Sequence, residues 1–275
     1  MRNTINLDDI SVEYLFDDLP FWSAPFGFAL LNTVNLRKNI KVLDIGSGFG
    51  FPAIELAQRL GTYSKIYCVD PWEKAIEVIK RKVKFYGLDN LETIQGKAEN
   101  ITFEDNTFDL ITSNNGLNNV QDLKISLSEV FRVAKPNAQM VFTVNLPETF
   151  IEFYNVFEEV LRDGNKISEI YKLKEHIHSK RKNFEEYREI VVKSGFFVEN
   201  ITFDSFKYRF IDGTSFFNYY FTRLAFLESW YSIVDSEERQ VIFDKLEISL
   251  NELAYNNSGL TLTVPFACFN CYKRS

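Results

Sequence analysis

Cysteine is scarce in this chain, with three in 275 residues, Cys68, Cys268 and Cys271. An odd, scattered set makes no disulfide framework and points to a reducing compartment. Cys268-x-x-Cys271 makes no redox or metal site either, because residues three apart on a strand face opposite ways and no second pair exists. Histidine is rarer still, with only His176 and His178. Spaced by two, they diverge on a helix, so no metal pair is expected. Positive charge is in deficit, 31 Lys and Arg against 38 Asp and Glu for a net charge of −7, which argues against a nucleic-acid-binding face. No apolar run approaches the ~18 residues of a membrane span. The N-terminal MRNTINLDDISVEY has no apolar signal core and carries acids where a transit peptide would not. The expectation is a soluble, cytoplasmic protein whose partner is a small molecule, with no nucleic acid, membrane or metal.

What the chain does have is apolar surface, 45% hydrophobic residues against 25% charged, enough to offset the entropy of ordering a large domain. Phenylalanine is in excess at 27 residues. Two readings stand: a biased composition, since Asn, Lys, Ile and Tyr are also plentiful, or an aromatic-walled pocket for an apolar or planar ligand.

From about Ile40 to Val144, short apolar runs alternate with helical patterns, the signature of βαβ units and a parallel sheet. IKVLDI (40–45), KIYCVD (65–70), LETIQ (91–95), FDLITS (108–113) and QMVFTV (139–144) read as strands. Helical periodicity follows Phe51, runs from Trp72 to Tyr86 where Gly87 stops it, and spans Leu123 to Ala134 before Pro136. FEEYREIVVKSG (184–195) reads as a further sheet-covering helix, and 196–204 as a sixth strand that continues through Phe206, Tyr208 and Phe210. Helical stretches are expected over 214–234 and 236–255, then a last strand TLTVPFACF (261–269) in which Pro265 calls for a bulge or a short strand. The first 39 residues read as one or two helices around Pro20 and Pro25. The organisation is one α/β domain over 40–275, preceded by N-terminal cap helices over 1–39, with helical insertions at about 148–182 and 211–259.

The segment VLDIGSGFGFP (42–52) carries the most chemistry. A strand ends in an acid, glycines fall at 46, 48 and 50, and a helix begins. Such glycines permit a tight turn and let a ligand approach the backbone, and the helix N-terminus behind them suits an anionic group. A dinucleotide site wants G-x-G-x-x-G, but its third glycine is here Phe51. Asp44, just before the loop, would repel a pyrophosphate and suits an ammonium. S-adenosylmethionine carries that ammonium and no phosphate. Asp70, at the end of the second strand, stands where a ribose-diol acceptor belongs.

The acid-x-G-x-G-x-G order resembles the class I S-adenosylmethionine-dependent methyltransferases. GKAENITFEDNTFDLITSNNG (96–116) is similar to that family's passage from third to fourth strand, and EVFRVAKPNAQMVFT (129–143) to its fifth-strand entry, nearest the small-molecule enzymes typified by quinone biosynthesis. The resemblance covers about residues 40–205. It implies a Rossmann-like seven-stranded sheet with an antiparallel last strand, helices on both faces and extra cap helices. It further implies that Gly46, Ser47 and Gly48 pass beneath the methionine part of the cofactor with Asp44 near its ammonium. Asp70 would accept from both ribose hydroxyls, and Pro71 and Trp72 would wall the adenine. Ala98 would offer it a backbone N–H with Glu99 beside it, and Asn114 would line the methyl-transfer cavity.

One departure narrows the acceptor. Enzymes of the family that methylate base or amide nitrogens carry N/D-P-P-Y/F after the fourth strand, where this chain has Asn114-Asn115-Gly116-Leu117. Trp22 and Asn115 are candidates for acceptor contact. In EHIHSKRK, His176 is a candidate base and Arg181, with Lys180 and Lys182, a candidate partner for an anionic acceptor group; the plainer reading is a solvated basic helix. Eleven aromatics lie between Phe206 and Tyr231, and with Tyr14, Phe16, Phe21 and Trp22 they form a lid core, a dimer interface or an acceptor pocket. The function read from the sequence is methyl transfer to a small acceptor with an apolar or aromatic body. Its rivals are a non-catalytic binding protein on the same fold, a protein-modifying methyltransferase and an NAD-dependent oxidoreductase.

Overall fold

The apolar runs become strands where the spacing predicts them. The structure is a computed structural model and describes Arg2 and residues 20–274; Tyr14, Phe16 and the rest of the expected N-terminal cap before residue 20 lie outside the described residues. In chain order the first elements are α1 (Pro20–Thr33), β1 (Lys41–Ile45), α2 (Ala53–Leu60), β2 (Lys65–Asp70), α3 (Glu73–Tyr86), β3 (Leu91–Gln95), β4 (Phe108–Asn114), α4 (Leu123–Val133) and β5 (Ala134–Asn145). They are followed by α5 (Ile151–Asp163), α6 (Ile167–Lys180), α7 (Phe184–Lys193), β6 (Phe196–Phe210), α8 (Gly213–Asn218), α9 (Tyr220–Ala225), α10 (Leu227–Tyr231), α11 (Arg239–Asn256) and β7 (Leu260–Lys273). The sheet has seven strands in the order β3-β2-β1-β4-β5-β7-β6. β1 to β5 pair in parallel, and β7 runs antiparallel to β5 from Asn145↔Phe266 to Gln139↔Tyr272.

The chain divides into two compact units. Among the described residues, the sheet unit comprises 20–145, Asn183–Asp204 and 266–274. Its central strands are apolar along nearly their whole length because helices cover them, as a parallel sheet requires. α1 packs on β4 and β5, α2 on β2, α3 on β2 and β3, and α4 on β5 and α7. Phe26 and Leu30 of α1 are fully buried, and the Phe26 ring meets Phe266 edge-on at 4.9 Å. Pro20 and Pro25 lie within this one helix. α7 starts with a capping box, Asn183 accepting from the Glu186 N–H and Glu186 from the Asn183 N–H. The order of the strands reverses between β1 and β4, and open α/β sheets bind ligands beyond the strand ends at that reversal.

Two boundaries differ from the sequence expectation. α4 stops at Val133, and β5 begins at Ala134, before Pro136. The β4–β5 register shifts between Phe108↔Ala134 and Leu110↔Gln139, and in that bulge Asn137 takes a positive φ of 64°. A proline without an N–H is tolerated in such a bulge. β7 runs on for 14 residues rather than breaking at Pro265, which lies one residue beyond the last one paired with β5.

The helical unit comprises Leu146–Lys182 and Ser205–Pro265, with Arg2. Phe153, Tyr154, Phe157 and Leu161 form the buried stripe of α5, and α11 packs on it through Phe243, Leu246 and Leu250. The stretch 214–234 is three short helices rather than one, broken at Tyr219, whose ψ of 128° is extended. Rings crowd residues 216–221, and one helix would point some of them away from the core; the break lets Phe216 and Phe217 bury fully beside Trp230. The Phe153 and Trp230 ring centroids lie 4.2 Å apart. Among the described residues, no helix is long and apolar enough to cross a membrane.

Candidate active site

The glycine loop leaves β1 at the strand-order reversal and is pinned on both sides. Gly46 and Ser47 donate their N–H groups to the Val69 carbonyl of β2 at 2.9 and 3.3 Å. Gly50 N–H closes on the Ser47 carbonyl, and Ile54 N–H on the Gly50 carbonyl begins α2. Gly46, Gly48 and Gly50 have φ of 67°, 50° and 97°, which an L side chain adopts only at a cost. Their surroundings differ. A Cβ on Gly46 would stand 2.7 Å from the Gly116 Cα, whereas one on Gly48 would meet no described residue within 4 Å. The first glycine therefore serves packing, and the second leaves an open cradle. Phe51, where a dinucleotide loop has its third glycine, is accommodated by Gly27 of α1; a Cβ there would fall 2.0 Å from the Phe51 Cε1.

Asp44 is fully buried. Its Oδ1 accepts from the Thr112 hydroxyl at 2.6 Å, while its Oδ2 is buried with no hydrogen-bond partner among the described residues. Burial pushes its pKa up to about 7, Asp70 adds to the shift and the Thr112 bond opposes it. A buried carboxylate oxygen without a donor is costly and calls for an explanation. A ligand ammonium supplies both the missing donor and the missing charge, whereas a phosphate would be repelled. Ser47 is buried, its hydroxyl donating to the Asp44 carbonyl at 2.9 Å.

Asp70 ends β2 and accepts the N–H of Gly48 on Oδ2 and of Trp72 on Oδ1, both at 2.9 Å. Burial nevertheless raises its pKa. Each oxygen keeps a second lone pair, so the carboxylate can take two hydroxyl donors more. The Trp72 ring meets Phe49 of the loop edge-on at 5.1 Å, forming an aromatic corner beside the exposed Pro71.

Ala98 is buried in the turn after β3. Glu99 has a task that its expected place beside a ligand did not reveal: its Oε1 accepts the N–H groups of Gln121 and Asp122, at 2.7 and 3.2 Å, just before α4. The neighbouring segment is stapled by Arg132, which no sequence motif marks. Its guanidinium donates to the carbonyls of Ile101 and Phe103 at 2.8 and 2.7 Å and to Glu129 and Asp105. The one signal in the sequence was the acid three residues earlier on the same helix.

Beyond β4, the Asn114 side chain donates to the Ser23 carbonyl of α1 at 3.1 Å and accepts from the Thr143 hydroxyl at 2.9 Å. Trp22 precedes Ser23 and meets Phe26 edge-on at 5.5 Å. Asn115 has a φ of 58°. Its Oδ1 accepts from Asn118 at 3.1 Å, and its Nδ2 is buried with no partner among the described residues. The Tyr187 hydroxyl donates to Asn118 Oδ1 at 3.1 Å, and Asn118 Nδ2 also donates to Asn145. The structure thus brings Asp44, Gly46, Ser47, Gly48, Asp70 and Trp72 together around one loop, and Asn114 and Asn115 around the next. His176 and Arg181 belong to the helical unit. Neither matches a solvated basic helix: Arg181 is buried, and burial with the Arg181 and Lys180 cations lowers the His176 pKa to about 4.

Comparison with known proteins bears on the family and the fold. The methyltransferase domain family matches residues 36–192, more than half of the chain. A demethylmenaquinone methyltransferase of Geobacillus sp. (strain WCH70) is 35% identical over 127 residues, 46% of this chain and 54% of that protein. The chain thus spans about half the length of such relatives. Among solved structures, the YcgJ protein from Bacillus subtilis superimposes with a TM-score of 0.62 at 17% identity, over 92% of this chain and 99% of that one. A SAM-dependent methyltransferase from Aquifex aeolicus does so with a TM-score of 0.51 at 24% identity, over 71% of this chain and 88% of that one. With an orphaned acid and an open glycine cradle at the strand-order reversal, the chain belongs to the class I S-adenosylmethionine-dependent methyltransferases, and its cofactor is S-adenosylmethionine.

Proposed function

We propose that the protein methylates a small molecule with an apolar or aromatic body. The unpartnered Oδ2 of Asp44 carries the reading, because it asks for a cationic donor of the kind the cofactor brings. In this reading Asp44 faces the ammonium, and Gly46, Ser47 and Gly48 lie along the methionine part. Asp70 accepts from the ribose hydroxyls, Pro71, Trp72, Ala98 and Glu99 surround the adenine, and Asn114 lines the transfer cavity. Residues 40–275 form the catalytic domain, with 148–182 and 211–259 inserted in it. The three cysteines are free and buried, which supports a cytoplasmic setting.

When bound, the cofactor supplies a methyl group on an already reactive sulfonium. The chain's own residues then have to align an acceptor and exclude water. Asn115 Nδ2, a buried donor without an acceptor, suits an acceptor oxygen, with Trp22 beside the apolar body. His176, held neutral, and Arg181 are assigned to a charged group of the acceptor. The name of the Geobacillus relative favours a quinone-class ring.

Calorimetric titration with S-adenosylhomocysteine, with NAD in parallel, tests the reading. Micromolar binding of the thioether alone, followed by turnover of a quinol-class acceptor, supports it. Binding of neither, or turnover of a protein acceptor alone, overturns it.

A further inference from the structure

Arg181 keeps a guanidinium where one is hardest to keep. It follows the last turn of α6 with only 4% of its surface exposed, and no described carboxylate pairs with it. Its Nε–H has no acceptor. Among the described residues its one side-chain hydrogen bond, from NH1 to the Tyr154 hydroxyl, is 3.5 Å long, the outer limit of such a bond, and its cation lies 5.9 Å from the Tyr154 ring centroid, a weak substitute for an anion. Tyr154 is buried too, and its oxygen also receives the Trp230 Nε1–H at 3.1 Å. With two N–H groups directed at that oxygen, the phenol's own proton is left to donate, and no described residue accepts it.

The cluster therefore consists of donors. Arg181 has spare N–H groups, Tyr154 a spare O–H, and the neighbouring His176 feels the cations of Arg181 and Lys180 but no anion. A buried charge is expected to be paired, because desolvation is otherwise uncompensated. The missing member is an acceptor carrying negative charge. The rings of Phe153 and Trp230 lie 5.2 and 6.3 Å from that of Tyr154, so the surroundings suit ring or chain carbon and not a second polar group.

We propose that Arg181 and Tyr154, the latter braced by Trp230, form an oxyanion site in the helical unit for the carboxylate of a small acid with an aromatic or apolar body. The planar fork of a guanidinium matches a carboxylate with two parallel hydrogen bonds. The proposal rests on the methyl-transfer reading only for the class of the acid, a small molecule with an apolar or aromatic body; the binding itself does not depend on it.

Thermal melting of the full chain with millimolar benzoate, cyclohexanecarboxylate, benzamide and inorganic phosphate tests it, in the wild type and in Arg181→Met and Tyr154→Phe. A ligand that binds only the folded state raises the melting temperature with its concentration. The carboxylates are expected to raise it and neutral benzamide is not. Arg181→Met is expected to lose the response while melting at or above the ligand-free wild type, since removing an unpaired buried charge removes its desolvation cost. Tyr154→Phe is expected to weaken the apparent affinity about tenfold, the size of one hydrogen bond to a charged group. No response to either carboxylate, an equal response to benzamide, a response to phosphate alone, or an Arg181→Met protein that melts well below the wild type overturns the proposal. Titration of the same wild-type samples with S-adenosylhomocysteine reads the methyl-transfer hypothesis separately.

Discussion

Gly46 and Gly116 meet backbone to backbone: a Cβ on Gly116 would stand 3.0 Å from the Gly46 Cα and 2.4 Å from the Ile45 carbonyl oxygen. The loop after β1 and the loop after β4 therefore fit only while both positions lack a side chain. Gly116→Ala is expected to cost about 1–3 kcal/mol, the usual penalty of forcing atoms into a packed site. Because the displaced atoms belong to the loop proposed to hold the cofactor, affinity for S-adenosylhomocysteine should fall as well. Denaturant melts and calorimetry on one preparation check both.

Asp44 predicts a pH dependence of definite sign. Burial lifts its pKa from 3.8 to about 7, so between those values the folded protein holds a proton that the unfolded chain has released. The stability this group contributes is complete below its ordinary value and is lost as pH rises towards 7. An ammonium reverses the preference by favouring the ionised form. Affinity for S-adenosylhomocysteine should therefore increase as pH rises from 5.5 to 7.5 (roughly the window set by that shift). Asp44→Asn should flatten both profiles and bind the thioether about tenfold or more weakly. Melting and calorimetry across this range provide the check.

In the proposed arrangement Asp70 serves the ribose end of the cofactor. Asp70→Asn leaves one acceptor oxygen and points an NH2 group at either the Gly48 or the Trp72 N–H, each now bonded at 2.9 Å. Stability should drop by about 1–3 kcal/mol through the unpaired donor. Adenosine affinity should fall with S-adenosylhomocysteine affinity here, and adenosine affinity should be unchanged in Asp44→Asn. Competition titrations with adenosine separate the two.

Arg132 holds the Ile101 and Phe103 carbonyls that follow Ala98 and Glu99. Arg132→Lys has one point of attachment in place of a fork. Amide exchange over 97–106 should accelerate ahead of the rest of the sheet unit, with cofactor affinity reduced several-fold. Hydrogen-exchange mass spectrometry reads the first effect and calorimetry the second.

The β2 and β3 ranges and the glycine loop were legible because short apolar runs between turn residues leave few alternatives. The start of β5 was not, since Pro136 reads as a stop in isolation and is tolerated only through a bulge that the partner strand defines. The break at Tyr219 was hidden for a similar reason: periodicity records which residues are apolar, not how many rings one helix can turn inward. The Arg132 staple and the Tyr187–Asn118 bond join residues 29 to 69 positions apart, and no local pattern announces such a pair. Lys180, Arg181 and Lys182 looked alike as a basic run, yet Arg181 is buried while Lys180 is exposed.

The contact between Phe51 and Gly27 couples two positions that are distant in the sequence. A dinucleotide-type loop keeps its third glycine in the loop; here the vacancy has moved across to α1, and the loop supplies the bulk that fills it. Either exchange alone leaves a hole or a collision, so relatives in which residue 51 is small are expected to have regained a side chain at 27.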